Sequence, residues 1–163
     1  FKCDEKDNPG RFNQFDVRGI KVVIDYGHNI DGYKHVLNSL KEMKKRKLIG
    51  VIGVPGDRTD SSTLTIGEMS GNCFDKIYIK EDKDKRGRKA GEIAELLKRG
   101  CRLGMIAESE ITIELSEEKA LEMAIANSEP GDIVVVFYEE YEPLIRVIEK
   151  MRNSYEKTGL IIA

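Results

Sequence analysis

The chain has 163 residues, of which 40% are hydrophobic, so it is long enough for one compact domain with its own core. Charged residues make up 34% and nearly balance at a formal net charge of −2, which gives no reason to expect nucleic acid or an anionic membrane as a partner. The three scattered cysteines argue against a disulfide framework or a zinc site, and they indicate reduced thiols in a cytoplasmic protein: Cys3, Cys73 and Cys101.

Apolar runs alternate with amphipathic helical patterns after a polar start. We interpret residues 1–10 as a linker cut from a longer protein and 11–163 as the folded domain. The predicted elements, in chain order, are a hairpin-like strand at 12–17, a strand at 20–24, a helix at 30–43, a strand at 48–54, a helix at 61–73, a strand at 77–79, a helix at 90–101, a strand at 111–115, a helix capped by Ser116 that ends near 130, a strand at 133–138 and a last helix from near Pro143.

Two local sequence features bear on the interior of one predicted helix and on the end of another. Gly67 weakens the prediction for 61–73, because glycine is unfavourable inside a helix. The basic run Lys44–Lys47 is predicted to interact favourably with the C-terminal end of the preceding helix.

The strands are continuous apolar runs, which is typical of strands covered on both faces. The sequence therefore predicts an α/β fold with an open, mostly parallel sheet of about six strands and helices on both faces. In such sheets ligands bind beyond the C-terminal ends of the strands. Four polar loops follow predicted strands and are the candidate site segments: residues 25–29, 55–60, 81–89 and 139–142.

The first loop carries a carboxylate directly after a strand, at Asp25. This carboxylate can accept both hydroxyls of a ribose, and His28 and Asn29 can donate toward phosphate at a helix N-terminus. The alternative is structural: Asp25 or Asn29 caps the helix and His28 fills a turn. His35, inside the helix, is interpreted as a surface or packing residue.

The second loop is neither a Walker A motif nor a Gly-x-Gly-x-x-Gly fingerprint. Its Arg58 can grip a carboxylate in bidentate fashion, or it can pair on the surface with Asp57 or Asp60.

The third and fourth loops are strongly charged. Residues 81–89 contain three acids and five bases, which is typical of a solvated loop but also suits a lid or an amino-acid clamp. Glu139 and Glu140 can bind a cationic group of a substrate, or they can simply precede the last helix with favourable negative charge.

Several motifs together resemble the C-terminal domain of the Mur ligase superfamily, and most of all the cyanophycin synthetase family within it. The resemblance covers residues 8–148 and rests on Asn8-Pro9-Gly10-Arg11-Phe12-Asn13, Asp25-Tyr26-Gly27-His28-Asn29-Ile30-Asp31-Gly32, Gly53-Val54-Pro55-Gly56-Asp57-Arg58, Glu81-Asp82-Lys83-Asp84-Lys85-Arg86-Gly87-Arg88, and Phe137-Tyr138-Glu139 through Pro143. Gly27 and Ile30 replace the Ala and Pro that are usual in the second motif.

The resemblance implies a Rossmann-like domain that is the last of three in an ATP-dependent ligase. ATP phosphorylates a carboxylate, and an amine attacks the acyl phosphate to form an amide. The substrates implied are arginine, or another amino acid, and the poly-aspartate backbone of cyanophycin. The P-loop and the Mg²⁺ ligands are expected in the preceding domain, so no catalytic or metal residue is assigned here and the isolated domain is expected to be inactive. The resemblance is also compatible with a homo-oligomer.

Residue by residue, the resemblance implies an ATP site and an amino-acid site. Asp25 would bind the ribose, with His28 and Asn29 beside the phosphates and Arg11 near the nucleotide. Arg58 and Asp82 would hold the incoming amino acid. On charge alone, Glu139 and Glu140 are candidates for the guanidinium of arginine. Two alternatives stay open: another Mur ligase relative, such as a folylpolyglutamate or peptidoglycan ligase, and a non-catalytic module that binds a nucleotide or a partner.

Overall fold

The computed structural model describes the backbone of residues 10–162 and the side chains of residues 10–154. Six strands and five helices alternate through this part of the chain. Their bounds are β1 Asn13–Val17, β2 Ile20–Asp25, α1 Ile30–Lys41, β3 Leu48–Ile52, α2 Asp60–Cys73, β4 Lys76–Ile79, α3 Glu92–Cys101, β5 Ile111–Ile113, α4 Glu117–Ala126, β6 Ile133–Phe137 and α5 Tyr141–Ile162, with one turn of 3₁₀ helix at Glu108–Glu110.

The six strands form one sheet in the order β1-β2-β6-β3-β4-β5. β1 is antiparallel to β2, as the predicted hairpin requires, and every other neighbouring pair is parallel. The last strand, β6, lies between β2 and β3, with Val134 opposite Val22 on one side and Ile49 on the other. The predicted α/β fold with a mostly parallel sheet is confirmed.

Helices cover both faces of the sheet, because successive residues of a strand point to opposite sides. Val135 of β6 packs in a core with α1, α2 and α3. Its neighbours Val134 and Val136 pack in a second core with α4 and α5. The continuous apolar runs of the sequence are therefore explained by burial on both faces.

Capping side chains set the starts of three helices. Asn29, Thr59 and Ser116 accept hydrogen bonds from the backbone N–H groups of the first turns of α1, α2 and α4. Lys45 closes the other end of α1, where its Nζ donates to the carbonyls of Leu40 and Met43 at 3.0 Å. The predicted interaction with this helix end is confirmed for Lys45, whereas Arg46 of the same run pairs with Asp132 at 2.9 Å.

Gly67 belongs to α2 for a packing reason. A Cβ at this position would lie 2.5 Å from the carbonyl oxygen of Leu97 and 2.8 Å from the Cα of Gly100, so the missing side chain lets α2 and α3 approach backbone to backbone. The helix predicted over 61–73 is confirmed and begins one residue earlier, at Asp60.

Several predicted ends differ from the observed ones. Phe12 lies outside β1 with φ 47°, because the chain turns there to place its N–H on Asp25. α5 begins at Tyr141 rather than near Pro143. α4 ends at Ala126, before the turn closed by the hydrogen bond from the N–H of Asp132 to Glu129.

Among the described residues the cysteines are free thiols. Cys73 is half-buried and Cys101 is buried, and burial raises the pKa of Cys101 to about 12. Cys3 and residues 1–9 of the predicted linker lie outside the described residues. Within residues 10–162, none of the helices combines the length and the apolarity that crossing a membrane requires.

Candidate functional site

The four loops singled out from the sequence meet at one edge of the sheet. They follow β2, β3, β4 and β6, which are parallel and adjacent, so their C-terminal ends lie side by side. The structure thus brings the candidate residues together at the edge where ligands of open α/β sheets bind.

Asp25 ends β2 and is only 6% exposed. Its Oδ2 accepts a hydrogen bond from the N–H of Phe12 at 2.8 Å, and its Oδ1 accepts one from the N–H of Gly27 at 2.7 Å. Burial raises the pKa of this carboxyl, while the two hydrogen bonds and the nearby charge of Arg11 oppose that rise. The structural role that the sequence allowed for Asp25 is therefore present in part, because its carboxylate holds two turns through these hydrogen bonds.

Asn29 and His28 have local partners as well. The Oδ1 of Asn29 accepts from the N–H of Gly32 at 2.8 Å and caps α1. The Nδ1 of His28 lies 3.0 Å from the carbonyl oxygen of Tyr26, and the rings of these two residues contact each other with centroids 4.9 Å apart. Tyr26 is 40% exposed, which is unusual for a large aromatic side chain in this domain.

An open cleft of about 450 Å³ gathers the four residues predicted to bind ATP. Arg11, Asp25, His28 and Asn29 all line it. The remaining lining residues are Phe12, Tyr26, Gly27, Gly32 and His35. We call it the larger cleft. Its combination of arginine, imidazole and the N-terminal end of a helix suits an anionic ligand.

Arg58 joins the loop after β3 to the loop after β2. Its Nε donates to the carbonyl oxygen of His28 at 3.1 Å, and its guanidinium lies 3.5 Å from Asp57. The surface pairing with Asp57 considered from the sequence is present, but the pairing with Asp60 is made by Arg88 instead. Arg58 is thus placed between the two loops rather than out in solvent.

Residues 81–89 are tied to the loop after β3 by two arginines. Arg86 pairs with Asp57 at 2.6 Å. Arg88 donates to the carbonyl oxygens of Gly56 and Arg58 at 2.8 Å and 2.9 Å. Dense mixed charge, which is typical of a solvated loop, here forms specific contacts across the sheet edge.

Glu81 caps α3, although nothing local in the sequence indicates this role. The N-cap position of the helix is Gly91, which has no side chain to offer. The carboxylate of Glu81 accepts from the N–H groups of Gly91 and Ala94 at 2.9 Å and 3.0 Å. The first residue of the charged loop is therefore buried in the structure and is not part of an exposed clamp.

Lys80 is a functional candidate that the sequence analysis missed. It directly follows β4, is 1% exposed, and places its Nζ 2.6 Å from Glu117 and 3.1 Å from Asp82. Burial lowers the pKa of Lys80, but the two carboxylates outweigh burial and the net pKa is raised. The available signal was a lysine between an apolar strand and an acidic pair, a position where burial requires a counterion.

The two glutamates after β6 are already engaged by the loop after β4. Glu139 accepts from the N–H of Lys83 at 2.7 Å, and Glu140 pairs with the Nζ of Lys83 at 3.3 Å. Both carboxylates line a pocket of about 170 Å³ together with Glu117 and Glu118. The last helix begins just beyond them, so these two acids also precede a helix, which is the structural role that the sequence allowed for them.

A small cleft of about 60 Å³ connects the two groups of predicted residues. Its lining includes His28 from the ATP group and Asp82 and Glu139 from the amino-acid group, with Lys80 beside them. We call it the smaller cleft. Because His28 lines both clefts, the two predicted half-sites adjoin each other.

Comparison with known families decides what kind of domain this is. The model of the family described as Mur ligase, glutamate ligase domain, matches residues 10–137, from the turn before β1 to the end of β6. The chain belongs to this family. The Mur ligase match covers all six strands and three of the four loops at the site edge.

Curated relatives of this Mur ligase domain include cyanophycin synthetases. The chain is 38% identical to that of Geminocystis herdmanii over 96% of its length and 36% identical to that of Crocosphaera subtropica over 92%. It is 29% identical to a UDP-N-acetylmuramoyl-L-alanyl-D-glutamate–2,6-diaminopimelate ligase of Prochlorococcus marinus over 83%. The chain spans 18%, 17% and 28% of these three relatives, respectively.

Solved structures of Mur ligases share the fold. A UDP-N-acetylmuramoyl-L-alanyl-D-glutamate–2,6-diaminopimelate ligase matches 91% of the chain with a TM-score of 0.71 and 17% identity. MurF ligase from Thermotoga maritima, solved in complex with ADP, matches 91% with a TM-score of 0.63 and 19% identity. The chain covers 32% of each of these structures.

Proposed function

We propose that this chain is the C-terminal domain of an ATP-dependent amide ligase that joins arginine to the side-chain carboxylates of poly-aspartate. The carboxylate attacks the terminal phosphate of ATP, which yields an acyl phosphate and ADP. The amine then attacks the acyl carbon, the amide bond forms and phosphate leaves. Support comes from membership of the Mur ligase family and from cyanophycin synthetases among the relatives that cover most of the chain.

The larger cleft is the proposed nucleotide half. Asp25 accepts hydrogen bonds from the ribose hydroxyls, for which a carboxylate has acceptor capacity beyond the two N–H groups that it already holds. Arg11 and His28 donate toward the phosphates. Asn29 contributes its amide NH₂, since its oxygen is the atom that caps α1.

The amino-acid half is proposed around Arg58, Asp82 and the two glutamates after β6. Arg58 pairs with the carboxylate of the incoming amino acid, and Asp82 attracts its ammonium group. Glu139 and Glu140 bind the guanidinium. The ammonium of Lys83, 3.3 Å from Glu140, supports this assignment because it shows that a cationic group fits against that carboxylate.

The observation that carries the proposal is the position of His28 between the two halves. It lines both clefts, and its carbonyl oxygen accepts the hydrogen bond from Arg58. Nucleotide and amino acid bound in adjoining clefts would meet at this point, which is what transfer through an acyl phosphate needs. Holding two reactants together is a large part of how such a reaction is accelerated.

The Mg²⁺ that accompanies ATP is proposed to bind in a preceding P-loop domain. Among residues 10–154 there is no group of three or more His, Cys, Asp or Glu side chains arranged to hold a metal ion. The contribution proposed for this domain is therefore to bind and orient substrates. This domain shares its fold, with a TM-score of 0.63, with the bifunctional folylpolyglutamate synthase/dihydrofolate synthase of Yersinia pestis. That protein was solved with AMPPNP and a manganese ion.

The test is a turnover assay with the full-length protein that carries this domain. ATP, a poly-aspartate primer and single amino acids are supplied, and release of ADP and phosphate is measured. Arginine is expected to support turnover, and the 163-residue chain alone is expected to give none. Turnover with a different amino acid and acceptor would assign the protein to another branch of the Mur ligases. Failure of every amino acid would favour a non-catalytic binding module.

A further inference from the structure

Lys80 is a buried lysine for which the proposed function has no role so far. Its side chain lies directly on the backbone at the end of β3: a Cβ added at Gly53 would be 2.6 Å from its Cε. Only 1% of its surface is exposed, so the side chain is almost completely buried. The fold therefore fixes where the ammonium sits.

The ammonium of Lys80 joins two carboxylates that come from different loops. Asp82 follows β4 and lies 3.1 Å away, and Glu117 opens α4 and lies 2.6 Å away. The side chains of these two acids are only 13% and 11% exposed. Without the lysine, the two carboxylates would share a poorly hydrated site with no cation between them, which costs free energy.

Glu117 extends the connection to the turn after β6. Its Oε2 accepts from the N–H of Glu139 at 2.7 Å, and its Oε1 accepts from the N–H of Glu140 at 3.2 Å. The carboxylate of Glu139 in turn accepts from the N–H of Lys83. Lys80 thus stands at the centre of a closed set of contacts that links the loops after β4 and β6.

We propose that Lys80 is the positioning residue of the amino-acid half of the site. Through its ion pair it holds the carboxylate of Asp82 at the smaller cleft, and through Glu117 it sets the turn that presents Glu139 and Glu140. This inference rests on the proposed function. Lys80 lines the smaller cleft beside Asp82 and Glu139 and does not line the larger cleft, so its effect is expected on the amino acid more than on ATP.

The test is Lys80→Met in the full-length ligase, assayed with ATP, a poly-aspartate primer and L-arginine. Methionine keeps most of the length of the side chain but removes the charge. The KM for arginine is expected to rise at least about tenfold, in line with truncating one partner of a buried charge pair. The KM for ATP is expected to stay within about twofold, because Lys80, Asp82 and Glu117 do not line the larger cleft and groups that share no partners act nearly independently.

Lys150→Met is the matched control. Lys150 also forms one ion pair with a glutamate, Glu122 at 2.8 Å, but its side chain is 60% exposed and lies on the helix layer rather than at the sheet edge. This variant is expected to leave both KM values unchanged, because an exposed pair of this kind contributes little.

Two results would overturn the inference while leaving the proposed function intact. One is an unchanged KM for arginine in Lys80→Met, and the other is a parallel rise of both KM values. Should Lys80→Met fail to fold, Glu117→Gln replaces it, with an expected rise of about threefold in the KM for arginine; no rise counts against the role. A wild type that turns over with no amino acid would instead refute the proposed function together with this inference.

Discussion

Asp25→Ala tests the larger cleft most directly, because its carboxylate has both an observed structural role and a proposed binding role. It accepts hydrogen bonds of 2.8 Å and 2.7 Å from the N–H groups of Phe12 and Gly27. A hydrogen bond to a charged group contributes about 1.5–3 kcal/mol, so the loss of both removes about 3–6 kcal/mol. Burial raises the pKa of Asp25, which means that its charge also costs free energy in the folded state. We therefore expect a net loss of about 2–4 kcal/mol.

A loss of this size leaves most of the domain folded, since single domains have free energies of unfolding of about 5–15 kcal/mol. Urea unfolding of the chain measures the loss of stability, and ATP kinetics of the full-length protein measure the loss of binding. Use of ATP is expected to weaken at least tenfold, which is about 1.4 kcal/mol. Unchanged ATP kinetics in a folded Asp25→Ala protein would refute the ribose role. An unchanged urea midpoint would refute the anchoring of the two turns.

Asp25→Asn is the matched variant, and it also gives the sign of the pH dependence. Asparagine keeps one acceptor oxygen but places an NH₂ group against the other backbone N–H. Because the folded-state pKa of Asp25 is raised above 3.8, the folded protein binds this proton more tightly than the unfolded chain does. The free energy of unfolding of the wild type therefore exceeds that of Asp25→Asn most at low pH. This difference becomes smaller as the pH rises through the raised pKa. A difference that grows with pH would show that the hydrogen bonds outweigh burial.

Two further substitutions test the contacts at the sheet edge. Lys80→Met is expected to lower the free energy of unfolding by about 3–5 kcal/mol. The triple variant that also carries Asp82→Asn and Glu117→Gln is expected to regain most of that free energy. Equal losses of the single and the triple variant in urea unfolding would contradict this. Asp57→Asn removes the carboxylate that pairs with Arg86 and is expected to speed trypsin cleavage after that arginine. The control is the wild type in about 1 M NaCl, where exposed ion pairs are screened. Equal cleavage rates of the wild type and Asp57→Asn at low salt would show that the ion pair does not hold the loop.

Local patterns were sufficient to predict the order and type of the elements. The run Ile20–Ile24, for example, differs from β2 by one residue, because burial on both faces requires apolar side chains at every position. The convergence of the four loops also followed from the sequence, since parallel strands place their C-terminal ends at one edge. Element ends were less predictable. Phe12 was included in a strand, and its exclusion depends on a hydrogen bond to Asp25 that no local pattern encodes.

The contacts within the site could not be predicted, because they join residues that only the fold brings together. Lys80 lies between an apolar strand and an acidic pair in the sequence, but its nearer counterion is Glu117, which only the fold brings beside it. Glu81 was assigned to a charged loop that was either solvated or a clamp, but it caps α3, since Gly91 supplies no side-chain cap of its own. Glu139 was chosen for its charge, and the structure shows that this charge already orders the loop after β4.

The central position of β6 has a consequence for how such a domain is made. β2, which carries the larger cleft, and β3, which leads to the smaller one, do not touch each other in the sheet; both pair with β6, the last strand of the chain. During synthesis β2 and β3 therefore both depend on β6, which is made later. The pairing of β2 with β6 joins residues distant in sequence, and such pairings are slow to form. We expect β6 to join the two parts of the sheet when it pairs with both strands. A ribosome-bound chain that ends before Ile133 is expected to lack the smaller cleft, because Phe137, Tyr138 and Glu139 form part of its lining.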